Sequence, residues 1–148
     1  MEEEDDFNIR EHEVLPIYKK AEEIYEVVRQ IADLIPDDDE NDHLSFVKGN
    51  MLGDAMTICA KIAGAEGGDL YDLRMENAAI IRKAARDLMV TNHSLEMFGF
   101  EEFEYFDIVR DLIEEFRLLF IDWVAGFDQW NYITLLNTAD AASDSFQL

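Results

Sequence analysis

Apolar residues recur every three or four positions over four long stretches of this chain, and no stretch alternates apolar with polar for any length. That period is the signature of helices that bury one face. The first stretch opens at Pro16, a residue suited to the first helical position because its missing N–H would have no partner there. Ala21, Ile24, Tyr25, Val28, Ile31, Ala32 and Ile35 then form one stripe, and Pro36 ends it, since the residue before a proline avoids the α region. The second stretch, about 43–65, repeats Leu44, Val47, Met51, Ala55, Ile58 and Ile62. Gly64, Gly67 and Gly68 close it.

Asp69 is the expected cap of a third helix running to about residue 98, with Leu70, Leu73, Ile80, Ile81, Ala84, Leu88 and Leu95 inside. Gly99 is its expected stop. A fourth helix, about 101–125, carries Phe106, Val109, Leu112, Ile113, Phe116, Leu119, Phe120 and Trp123. Four amphipathic helices with short connections predict an all-α fold, an antiparallel up-down-up-down four-helix bundle. At about 1.5 Å per residue, helices of more than twenty residues would make it about 35 Å long. Residues 1–13, with seven acids and one base, read as a solvated arm, 14–125 as the bundle, and 126–148 as a segment partly docked or frayed.

The second helix departs from this scheme. Roughly opposite its large apolar stripe lies a row of small residues, Gly49, Gly53, Ala60 and Gly64, with Met56 beside it. An outer helix of a monomeric bundle shows a polar half. This one has few charges, and its interior glycines cost about 1 kcal/mol each relative to alanine. Close approach of another helix would offset that cost. The covering element is either residues 126–148, with Trp130 and Leu135, or a second subunit. The sequence favours the subunit, with Gly49, Gly53, Met56, Ala60 and Gly64 as its interface.

Charge narrows the partners. The chain has 34 acids against 12 bases, a net charge of −22. Nucleic acid and anionic membranes are bound by neutralising phosphates with cations, so this field opposes both. A basic protein is attracted. The opening Met-Glu-Glu-Glu-Asp-Asp has neither the basic start nor the apolar run of a secretory leader. The apolar stretch 118–127 is too short for a bilayer and is interrupted by Asp122. One cysteine, Cys59, makes no internal disulfide and fits a reducing compartment, so a cytoplasmic location is expected.

The recognisable chemistries fail on spacing. The acidic turn 37–42 lacks the glycine and glutamate that a calcium loop needs at its sixth and twelfth positions, which are Asp42 and Lys48. One cysteine and three scattered histidines make no zinc pattern, and Glu40–His43 is the only Glu-x-x-His spacing. No cofactor or metal is expected, and no catalytic residue. Histidine phosphotransfer domains are also acidic bundles, but their lysine lies one turn after the histidine, whereas Lys48 lies five residues after His43 and on another face. Cys59, among apolar neighbours, reads as an inert thiol. Against the global charge, residues 74–86 hold Arg74, Arg82, Lys83 and Arg86 with one acid, Glu76. Arg82, Lys83 and Arg86, together with the aromatics Phe98 and Phe100, are the candidate partner surface.

Several segments carry a resemblance. Leu15-Pro16-Ile17-Tyr18-Lys19-Lys20-Ala21 followed by Ile24-Tyr25, the closing Ala60-Lys61-Ile62-Ala63-Gly64-Ala65-Glu66-Gly67, and Ala78 with Ala84-Ala85-Arg86 resemble the bacterial four-helix-bundle proteins encoded in 23S ribosomal-RNA intervening sequences, whose relatives include retroelement accessory proteins. The resemblance spans about residues 15–123. It implies a four-helix bundle assembling into a ring, often of five subunits, and no established catalysis. Members that touch nucleic acid present a basic surface, which this composition does not match. Pattern and resemblance together lead to a non-enzymatic, homo-oligomeric interaction module. A phosphotransfer bundle and a nucleic-acid accessory protein are the alternatives.

Overall fold

A computed structural model describes residues 11–37, 40 and 42–131. It is all-helical, with no strand among the described residues. The four long helices are α1 (Pro16–Leu34), α2 (Asp42–Glu66), α3 (Tyr71–Met89) and, after a short α4 (Thr91–Met97), α5 (Phe106–Ala125). 3-10 turns at Glu11–Val14 and Phe103–Tyr105 precede α1 and α5. Pro16 stands at the start of α1, and the chain turns extended at Ile35, directly before Pro36. The α1 stripe is fully inside at Ala21, Ile24 and Val28. Met51, Ala55, Ile58 and Ile62 meet it from α2, Ile81 and Leu88 from α3, and Phe106 and Val109 from α5. α2 packs on α1 and α3, and α5 packs on α1 and α3, so each long helix touches two others around one core.

Three helices are shorter than expected, with 19, 19 and 20 residues in α1, α3 and α5 against 25 in α2. The expected third helix breaks at Val90. There Thr91 turns its hydroxyl back to the Asp87 carbonyl at 2.9 Å, and Val90 N–H donates to the same carbonyl at 3.3 Å. Adjacent β-branched residues already weaken a helix, and this back-bonding takes a carbonyl from the regular ladder. The fourth helix likewise starts at Phe106 rather than 101, after the 3-10 turn that leads the fully buried Phe106 into the core.

The start of α3 also differs from expectation. Leu70 is its N-cap and makes no side-chain cap, so Asp69 does not fill that role. Instead the Asn131 carbonyl accepts from Tyr71 N–H at 2.6 Å, and Asn131 Nδ2 donates to the Asp69 carbonyl at 2.7 Å. Residues 126–131 thereby fasten to the turn between α2 and α3. Phe127 is buried there, with its ring edge-on to Trp123 and the Arg74 guanidinium 5.1 Å from its centroid. Trp123 Nε1 donates to Glu66 at 2.7 Å. Residues 1–10 of the acidic arm and 132–148, including Leu135, lie outside the described residues.

Candidate functional site

The outer face of α2 is built by its own periodicity. Taken at 100° per residue, the buried positions Leu44 to Ala65 centre on one direction, and Phe46, Gly49, Gly53, Met56, Ala60 and Gly64 centre on the opposite one. Spacings of three and four residues make this outer row a second helical stripe, like the seam of a coiled coil. All six residues are exposed, Phe46 at 69% and Met56 at 56%. A methyl group added at Gly49 or Gly53 would meet nothing within 4 Å; at Gly64 it would touch only Asn77 Oδ1 at 3.9 Å. The described part of the C-terminal segment does not cover this face. It lies at the α2–α3 turn, and its Trp130 is 88% exposed.

Charges flank the row without crossing it. Lys48 turns back to α1, donating to the Ile35 carbonyl and to Asp37, each at 3.1 Å. That removes Lys48 from any partnership with His43, whose ring stacks on Phe98 with centroids 4.7 Å apart. Cys59 is half-buried, facing Tyr18 and Glu22 of α1. Burial, and then the Glu22 charge, push its thiol up to about 11. It is therefore protonated and unreactive near neutral pH.

The five residues grouped as a partner surface do not form one surface. Phe100 is a core residue, 4% exposed. Gly99 adopts φ +89° after α4, its N–H bonds the Glu96 carbonyl at 3.1 Å, and Phe100 N–H bonds the Leu95 carbonyl at 2.9 Å. This is the Schellman helix end, in which the residue after the glycine packs back on the helix. The pattern Leu95-Glu-Met-Phe-Gly-Phe100 carried that signal. Phe98 is half-buried. Lys83 pairs with Asp87 at 2.7 Å and faces the α2 side with Phe98.

Arg82 and Arg86 face α5 instead. With Arg117 they border a largely apolar groove of about 440 Å³ floored by Ala85, Met89 and Phe116. Arg117 is held by Glu114 at 3.2 Å, whereas Arg82 and Arg86 make no ion pair within 4 Å among the described residues. Arg74 is structural, donating to the Gly68 carbonyl at 2.9 Å and lying 3.7 Å from Glu66.

Among the described residues, no three of His, Cys, Asp and Glu come together in a group that could hold a metal ion. None of the described helices is long and apolar enough to cross a membrane. No protein family, curated protein or solved structure matches the chain.

Proposed function

We propose that the chain is a non-enzymatic interaction module that works as a homo-oligomer in the cytoplasm, with Gly49, Gly53, Met56, Ala60 and Gly64 on the outer face of α2 as its subunit interface and a basic protein as its partner. The bundle is antiparallel, up-down-up-down, a reading supported by helices that pack in chain order with α5 returning to α1. One observation carries the function: α2 spends two interior glycines on a face where a side chain would meet nothing. Glycine in an exposed helix interior costs about 1 kcal/mol, which is offset when a second helix comes close. The exposed Met56 adds apolar area that a second copy would remove from water. The resemblance to the intervening-sequence bundles, which form rings, supports the same assembly.

Sedimentation velocity on the native protein and on Gly53→Glu tests this. The native protein is expected to sediment as an assembly. The variant should keep its helical circular dichroism, because its side chain has open space, and should sediment as a single chain. A variant that assembles as well as the native protein would remove α2 from the interface.

A further inference from the structure

The break at Val90 opens a cleft of about 530 Å³ between the first half of α2, the end of α3 and α4. Asp54 reaches it from α2, Asp87 and Lys83 from α3. Phe46 lines it too, as do His43 and Phe98, whose rings stack on each other. Two carboxylates from different helices thus face one void beside aromatic rings. The Asp54 carboxyl is pushed above the usual range by desolvation first and by the Asp87 charge second, with Lys83 opposing. Lys83 also senses both acids, yet its side chain is 71% exposed and, among the described residues, pairs with Asp87 alone, one helical turn away on its own helix. Such a pair is weakly held.

We propose that this cleft seats a basic side chain, above all an arginine, of a partner protein, gripped by Asp54 and Asp87 beside the rings of Phe46, His43 and Phe98, and that Lys83 occupies the position until the partner displaces it. The proposal rests on the reading of the chain as a module for a basic partner and names where that partner enters. A guanidinium suits the site because its planar fork bonds carboxylates in pairs while its face lies on aromatic rings. The volume is ample for one side chain and part of its backbone. The net charge of −22 draws basic segments in, so the long-range field and the local site act in the same direction.

Lys83 gives the proposal an unusual sign. As an internal competitor, it lowers affinity for a basic partner, whereas a cation that merely supports the fold would not. The test is fluorescence anisotropy of a fluorescein-labelled decamer of alternating arginine and serine. Asp54→Asn combined with Asp87→Asn is expected to weaken its binding about ten-fold. Phe46→Ala should weaken it about three-fold, and Lys83→Met should tighten it about three-fold.

The control neutralises two acids on α1, Glu26→Gln with Asp33→Asn, and should change affinity less than two-fold. Melting curves establish that each variant is folded, and Asp54→Asn, which removes a desolvated charge, should melt no lower than the native protein. Equal affinity in cleft and control variants would overturn the proposal, as would weaker binding by Lys83→Met. Self-association is judged by mass instead, and a monomer binds the decamer by the same rule, so the two readings fail separately.

Discussion

α1 and α2 bury similar inner faces and present opposite outer ones. Outside, α1 carries Glu22, Glu23, Glu26, Arg29, Gln30 and Asp33, with Arg29 paired to both Glu26 and Asp33. α2 carries Phe46, Gly49, Gly53, Met56 and Ala60. A helix finished by one chain looks like α1, since exposed positions cost least when they are charged and solvated. α2 has a second apolar stripe in place of that polar half. One chain thus completes the core and leaves the outer row of α2 exposed.

The inner faces should respond alike. Ile24→Ala in α1 and Ile58→Ala in α2 each remove a fully buried side chain and should each cost about 3 kcal/mol in urea unfolding. A much smaller loss in either would place that helix outside the shared core. The outer faces should then diverge. Met56→Glu on α2 is expected to dissociate the assembly, while Glu26→Lys on α1 leaves its mass unchanged and shifts the melting midpoint only slightly. An α1 variant that dissociates the assembly would erase the contrast.

Subtler substitutions sharpen the comparison. Gly49→Ala with Gly53→Ala should raise the stability of the isolated chain by about 1 kcal/mol per site, because each added methyl has open space and alanine is the better helix former. The same pair should weaken assembly by holding helices apart, so chemical unfolding and mass should move in opposite directions. Stability and assembly rising together would show that the glycines serve no close approach.

The smallest effect is at Cys59. Its thiol is raised from 9.0 to about 11 in the folded chain by burial first and Glu22 second. Between those values the folded state holds the proton that the unfolded state has lost, so this group subtracts stability as pH climbs from 9 to 11. Cys59→Ala should flatten that part of the stability–pH curve, and Ellman's reagent should label the native thiol slowly at pH 8.

Much of the fold was legible because burial follows spacing. The buried set of α2, from Leu44 to Ile62, coincides with its three-and-four stripe, and that of α1 does so apart from the half-buried Tyr25, whereas Leu73 and Ile80 of α3, expected inside, are exposed. What escaped was local competition for hydrogen bonds. Thr91 reaching the Asp87 carbonyl ends α3 early, and nothing in a hydropathy pattern weighs that bond. The cleft that results joins Asp54 to Asp87, residues 33 positions apart, and only the packing of α2 on α3 brings them together. Asn131 replacing Asp69 at the head of α3 is long-range in the same way. Phe100 differs, since a phenylalanine following Phe98-Gly99 at a helix end is a readable sign of burial.

Multi-angle light scattering on the native protein reads from its mass whether Gly49, Gly53, Met56, Ala60 and Gly64 of α2 are covered by another copy. The expected mass is a whole-number multiple of 17.1 kDa, two or more, that persists on dilution. A single-chain mass at every concentration would contradict it.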